Sequence, residues 1–263
     1  MSGTAQNRRI AVVSAGLSNP SSTRMLADRL AAATLAQLAE RGIEASVDTI
    51  ELRDLAHDIT NNLLTGFAPQ ELETAINTVV SADALIAVTP IFSTSYSGLF
   101  KSFIDVLDPD ALTGKPVLIC ANAGTARHSL AIDYAIRPLF AYLHAEAVST
   151  GVFAASSDWG LTADQVAPLS SRVEKGAREL AEAIARREPA KSADPFDPES
   201  YLGSFQRLMG GETAPNGGHS GGGHMLGGPA RAGALRSWRP PGSLDESTPP
   251  GQWLANAHCR ASA

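Results

Sequence analysis

An α/β fold with a parallel sheet covered on both faces is predicted, and three observations predict it. Five short apolar runs are separated by stretches with helical spacing of apolar residues. Most of these runs are continuously apolar rather than alternating, as strands buried on both sides must be. Loops following three of the runs gather hydroxyl, amide and glycine residues where such sheets bind ligands, beyond the carboxyl ends of the strands.

The elements follow in order. Ile10 to Ser14 is the first buried strand. Leu26, Leu30 and Ala33 repeat at i, i+4, i+7 and mark a helix, which Gly42 ends in the left-handed manner. Ala45 to Leu52 reads as a strand with partial alternation, and His57 to Ala68 reads as loop. Pro69 suits the first position of a helix whose stripe is Leu72, Ile76, Val79 and Val80. Ala84 to Thr89 is a second buried strand, followed by a helix face of Phe100, Phe103, Ile104 and Leu107. Val117 to Ala121 is the next strand. Ile136, Leu139, Phe140 and Leu143 line a further helix that Pro138 is placed to kink. Ala147 to Phe153 is the last strand. Thr162 and Gln165 have capping-box spacing ahead of a helix lined by Leu169, Val173, Leu180 and Ile184.

Composition changes near Glu188. From there to Ala263 the chain holds 13 of its 23 glycines and 9 of its 16 prolines. Glycine-rich chain such as Asn216 to Gly228 has little to bury and much backbone entropy to lose. The expected organisation is a folded domain over 1–187, a docking extension over 188–211, and a disordered Gly/Pro-rich tail over 212–263. The extension's apolar residues are Phe196, Tyr201, Leu202, Phe205 and Leu208. His219, His224, His258 and Cys259 lie in the tail, but their spacing matches no closed metal site.

The 263 residues carry a net charge of −6, which gives no general reason to expect nucleic acid or a membrane as partner. Two distant cysteines, Cys120 and Cys259, fit a reducing cytoplasmic setting and no structural metal. Arg8-Arg9 precedes an apolar run too short for an export signal.

The first loop, Ser14 to Arg24, carries five hydroxyl side chains and opens a helix. Helix starts offer unpaired N–H groups and partial positive charge, which suits phosphate. A plain turn with one capping hydroxyl is the alternative. There is no GxGxxG after the strand and no GxxxxGK[ST], so a dinucleotide or triphosphate fits less well than a mononucleotide such as FMN. The second loop, TPIFSTSYSGLFKSFID from Thr89, sets the aromatics Phe92 and Tyr96 beside four hydroxyls, and either aromatic alone reads more readily as an ordinary core or interface residue. The third runs from Asn122 to His128.

PIFSTSYSGLFK resembles the P-x-Y-x-x-x-x-x-G-x-x-K signature of the NADPH-dependent FMN reductase family through Pro90, Phe92, Gly98 and Lys101. Phe stands where the family has Tyr, which removes a hydroxyl and keeps an aromatic face. SNPSSTR and NAGTARHSL resemble the family's first and third loops in the expected order, and IRPLFAYLHA is similar to its next helix. The resemblance spans about Arg9 to Arg187, and Asp194 to Met209 looks like the extension of an actinobacterial-type branch.

The resemblance implies a flavodoxin-like fold with strand order 2-1-3-4-5. It implies that Ser18, Ser21, Ser22, Thr23 and Arg24 hold the FMN phosphate. Pro90, Ile91, Phe92, Ser93, Thr94 and Ser95 would border the ring, and Asn122, Gly124 and Thr125 would close the pocket. Arg127 and His128 would meet a nicotinamide nucleotide, NADPH or NADH. The implied activity is NAD(P)H-dependent FMN reduction, with reduced FMN released to a separate monooxygenase, by a homodimer or homotetramer. Hydride transfer between cofactors needs no protein nucleophile, which fits the absence of a catalytic motif. A flavin-bound quinone or azo reductase and a flavodoxin-type electron carrier are the alternatives.

Overall fold

The computed structural model describes residues 7–159 and 168–190. The strands are β1 (Arg8–Ser14), β2 (Ala45–Glu51), β3 (Ala84–Phe92), β4 (Ser95–Tyr96), β5 (Pro116–Ala123), β6 (Glu146–Ala147) and β7 (Val152–Ala155). The helices are α1 (Ser22–Ala39), α2 (Ala56–Thr65), α3 (Gln70–Ser81), α4 (Gly98–Asp105), α5 (Arg137–Tyr142) and α6 (Leu169–Ala185). A π-helical segment, Ile132–Ile136, runs directly into α5.

The sheet order is β2-β1-β3-β5, and β6 and β7 both pair with β5 as a fifth position. All these pairings are parallel, so the expected order 2-1-3-4-5 holds and the fold is flavodoxin-like. The fifth strand is broken in the middle. Gly151 sits in the break, where an added Cβ would lie 2.4 Å from the Ile132 side chain. β4 is a two-residue antiparallel addition to the end of β3.

Because strand side chains alternate between faces, the sheet sorts its apolar residues into two layers. Ala11, Val13, Leu85, Ala87, Val117 and Ile119 face α2, α3, α4 and α5. Ile10, Val12, Ile86, Val88, Leu118 and Cys120 face α1 and α6. Gly176 lets α6 approach closely, since a Cβ there would lie 3.0 Å from Leu118 and Val152. Phe100, Phe103 and Phe140 are fully buried in the first layer, so the α4 aromatics are core rather than an interface between copies. Cys120 packs as a small apolar group, and burial pushes its thiol pKa up.

Three sequence expectations need correction. The expected loop over His57–Ala68 contains α2, anchored by buried Leu55 and Ile59 and ended by left-handed Gly66. Exposed Leu63, Leu64 and Phe67 spread the apolar residues off the buried face and blur its helical stripe. Pro69 sits one residue before α3, at the N-cap rather than inside. The helix around Pro138 is not α-helical throughout: Pro138 lies in the first turn of α5, and the chain directly before it widens into the π turn. The last helix starts at Leu169 with Pro168 as N-cap; Thr162 and Gln165 lie outside the described residues. So do Asp194 to Met209, the glycine-rich tail and its histidines. Among the described residues no helix is long and apolar enough to cross a membrane.

Candidate active site

β1, β3, β5 and β7 end on the same side of the sheet, and their following loops enclose a cleft of about 350 Å³. It is lined by Ser18, Ser22 and Thr23 from the first loop and Pro90, Ile91 and Phe92 from the second. Asn122 and Gly124 come from the third loop.

The first loop is shaped by a close approach. An added Cβ at Gly16 would stand 2.0 Å from Ser21 Oγ, so only glycine lets the chain fold back here. Ser21 caps α1: its Oγ accepts from the Arg24 backbone N–H at 3.2 Å. Its hydroxyl is therefore turned to the helix and is buried. Asn122 ties the first loop to the third. The Thr23 hydroxyl donates to Asn122 Oδ1 at 2.9 Å, and Asn122 Nδ2 donates to Ser22 Oγ at 2.9 Å. Ser22 accepts in that bond, so its own proton is available to the cleft. Thr23 and Asn122 are buried, Ser22 is exposed, and the arrangement fixes an outward donor on a rigid base.

Arg24 does not line the cleft. Its guanidinium pairs with Asp28 at 2.8 Å and Glu51 at 2.5 Å. The hydrogen bond to Asp28 is the leading cause of its raised pKa. The i, i+4 carboxylate and a neighbouring strand have taken the charge that the sequence offered to the phosphate loop.

In the second loop, Ile91 pairs with Tyr96 and Phe92 with Ser95 across a two-residue turn. The turn residues Ser93 and Thr94 have φ of 46° and 71°. Two positive φ values match the mirror-image turn that hairpin twist favours, at a strain cost for residues with Cβ. Thr89 Oγ1 accepts from the Ser97 N–H at 3.1 Å, and Ser97 Oγ caps α4 through the Phe100 N–H at 3.1 Å. These bonds hold Pro90 and Ile91 as a fixed apolar wall. Phe92 is 47% exposed at its edge, whereas Tyr96 packs on Phe100 with ring centroids 6.1 Å apart. Gly98 opens α4, and Lys101 pairs with Asp105.

Thus Ser18, Ser22, Thr23, Pro90, Ile91, Phe92, Asn122 and Gly124 converge. Ser21, Arg24, Ser93, Thr94, Ser95, Thr125, Arg127 and His128 are not among the residues lining the cleft. Ser93, Thr94 and Ser95 form the hairpin tip, and Arg127 and His128 sit in a short three-ten turn beyond Thr125. Leu17, Ala123, Ser156 and Trp159 line the cleft without having been expected. Ser156 and Trp159 belong to the turn after β7, the fourth loop at the same edge. The rule that directs attention to strand carboxyl ends would have found them had it been applied to every strand.

One end of this cleft offers hydroxyls and the start of an 18-residue helix, and the other an apolar wall with backbone groups. That donor set fits a mononucleotide carrying a flat ring and a single phosphate.

The profile of the NADPH-dependent FMN reductase family matches residues 8–160. An FMN reductase (NADPH) of Pseudomonas aeruginosa is 35% identical over 175 residues, covering 66% of this chain and 90% of that protein. An NADH-dependent FMN reductase of Pseudomonas putida is 34% identical over 164 residues, covering 62% and 86%. An oxidoreductase from Corynebacterium diphtheriae superposes with a TM-score of 0.67 at 46% identity, over 69% of this chain and 99% of that one. An apo NADH:FMN oxidoreductase superposes at 0.61 with 27% identity, over 74% and 99%.

Proposed function

The chain belongs to the NADPH-dependent FMN reductase family, and on that premise we propose that the cleft at the strand ends is where it binds FMN. It is an NAD(P)H-dependent FMN reductase. The observation that carries the site assignment is the Ser22–Asn122–Thr23 tie, which aims a donor from the helix start into a cleft with an apolar wall opposite.

FMN held there would supply the redox chemistry, as the acceptor of a hydride from NAD(P)H. Ser18, Ser22 and the first backbone N–H groups of α1 hold the phosphate. Pro90, Ile91 and Phe92 would offer the ring an apolar wall, and Gly124 would leave the third-loop side of the cleft open to it. Asn122 keeps the two loops in register. Arg127 and His128 stand outside the cleft on its third-loop side, where a second nucleotide would approach. No protein acid or base is required of any of them.

The product, reduced FMN, leaves for a separate monooxygenase. The shallow setting of the cleft supports this reading, since Ser18, Ser22, Phe92 and Gly124 are all exposed. The protein acts as a homodimer or homotetramer, a reading supported by Leu130 and by Tyr134, which is 80% exposed, one helical turn apart on the surface. Light scattering at working concentration tests the assembly.

The deciding experiment is NADPH and NADH oxidation by purified protein, with and without added free FMN. Oxidation that requires added FMN, from colourless protein, is the expected result and supports release. Oxidation of neither nucleotide in the presence of FMN would overturn the assignment. Turnover by yellow protein with a quinone or azo acceptor, without free flavin, would favour the bound-flavin alternative.

A further inference from the structure

A cleft of about 350 Å³ that holds FMN has no room for a dinucleotide as well. NAD(P)H can bring only its nicotinamide to the flavin ring, so its adenosine half must rest on a rim. The third-loop rim carries Arg127 and His128, on the side where the nicotinamide half approaches. The fourth-loop rim carries a pair with no role so far, Arg29 of α1 and Trp159 of the turn after β7.

The Arg29 guanidinium carbon lies 4.6 Å from the centroid of the Trp159 ring, a cation–π arrangement. Trp159 lines the cleft and Arg29 does not. The pair therefore straddles the boundary, with the indole at the cleft and the cation outside it. The helical period places Ser22, Met25 and Arg29 on one face of α1, and all three are exposed. Arg29 stands about 10 Å along the helix axis from Ser22. A ligand too long for the cleft that leaves it past Trp159 meets this face.

The indole is fixed from below. It packs against the core layer that faces α1 and α6. Asp158 anchors its turn: one carboxylate oxygen accepts from the Ala155 backbone N–H at 2.8 Å, and the other pairs with Arg172 at 2.9 Å. Arg24, one turn earlier on α1, is held between Asp28 and Glu51, whereas no carboxylate pairs with Arg29 among the described residues. A guanidinium resting on an aromatic face keeps N–H donors for another partner, and its fork of donors matches a phosphate.

We propose that Arg29, held in place by Trp159, binds the 2′-phosphate of NADPH and makes this chain prefer NADPH to NADH. The inference rests on the FMN reductase reading above and deepens it. The two nucleotides differ only in that phosphate, which carries roughly 1.5 to 2 negative charges at neutral pH. The adenine, common to both, rests on the exposed Met25 side of α1. The contact is remote from the hydride and is made equally before and during transfer, so it acts on KM and not on kcat. Arg29 is exposed, so the preference weakens as salt rises.

The test is steady-state oxidation of NADPH and of NADH by the full chain at saturating FMN, at low and high salt. The unsubstituted protein is expected to favour NADPH at low salt. R29Q is expected to raise the KM for NADPH about tenfold, the scale of one charge-assisted contact, with kcat kept and the KM for NADH little moved. R29K recovers most of the loss, and W159L narrows the preference because the guanidinium is no longer held. Inhibition by 2′,5′-ADP, which carries the adenosine and the 2′-phosphate without the nicotinamide, should weaken in R29Q, while inhibition by 5′-AMP should not. R29Q should melt at the same temperature as the unsubstituted protein. Equal effects of R29Q on both nucleotides would overturn the inference and leave Arg29 as a support for Trp159. So would an unsubstituted protein without preference for NADPH, or a preference that R127Q removes and R29Q leaves intact. Oxidation of neither nucleotide by the unsubstituted protein with FMN present would overturn the functional reading itself.

Discussion

At the amino ends of the strands the polar groups face one another; at the carboxyl ends they face outward. Asp83, just before β3, accepts from Arg8 at 3.0 Å and from the backbone N–H groups of Arg9 and Ala190, each at 2.7 Å. Arg8 also donates to the Arg187 carbonyl, and Lys115 donates to the carbonyls of Val80 and Ala82. Arg8, Asp83 and Lys115 have buried side chains. Each charge is satisfied inside the fold, and the cluster ties the chain after α6 to the first strand. At the other end, Ser22 accepts from Asn122 and keeps its proton for a ligand, and Arg29 rests on an aromatic face. A polar cluster that completes itself holds structure together. One that leaves donors converging on a cleft is built to receive something.

The sharpest way to break this contrast is at Asp83. D83A leaves Arg8 buried without its partner and removes the acceptor for two backbone donors. A loss of about 3–5 kcal/mol is expected by urea unfolding, with FMN affinity unchanged for the protein that remains folded. A D83A variant of normal stability would refute the structural role given to this end.

Lys115 gives the next largest effect. Burial lowers its pKa from 10.5 to about 8. Between those values the unfolded chain holds a proton that the folded one has released, so stability rises with pH from about 8 to 10.5. The rise is at most about 3 kcal/mol at roughly 1.4 kcal/mol per unit. K115M should flatten this part of the stability–pH curve relative to the unsubstituted protein, as measured by urea midpoints across the window.

At the carboxyl end the stability effects are smaller and the binding effects larger. N122A removes the tie and leaves the Thr23 hydroxyl buried without an acceptor, at a cost of about 1–3 kcal/mol. FMN affinity should fall with it, because Ser22 is no longer held. Stability loss without any change in FMN affinity would separate the tie from the site. The smallest effect expected is a gain. Glycine at position 94 relieves the positive φ of Thr94 and should stabilise by about 1 kcal/mol in thermal unfolding. Because the hairpin keeps its turn, the KM for FMN should stay unchanged.

Much of the fold was legible because buried parallel strands leave an unmistakable mark. The run Ala84 to Thr89 has nowhere to go but a covered sheet, and β3 extends it only to Phe92. The α2 helix was not legible, because its burial rests on Leu55 and Ile59 while its other residues face water. The π segment was not legible either. Its wider turn, closed by the Arg137 N–H on the Ile132 carbonyl, fits tertiary packing rather than any local preference. In the site, the hydroxyl-rich first loop could be read from composition and position, whereas the Pro90–Phe92 wall was expected only from the family resemblance. Ser156 and Trp159 were missed because the loop after the last strand was not read as a fourth loop at the same edge.

The sequence by itself determined which segments become strands, which loops end up at their carboxyl ends, and which of those loops are rich in hydroxyls. Those choices follow from apolar runs, helix starts and turn residues acting over a few positions. Only the tertiary structure decided how the polar side chains pair. It gave Arg24 to Glu51 as well as to Asp28, turned the Ser21 hydroxyl to the helix, bound Asn122 to Ser22 and Thr23 a hundred residues away, and left Arg29 on Trp159. A hydrogen bond or ion pair depends on which groups lie within a few ångströms, and that is fixed by strand order and packing rather than by sequence distance.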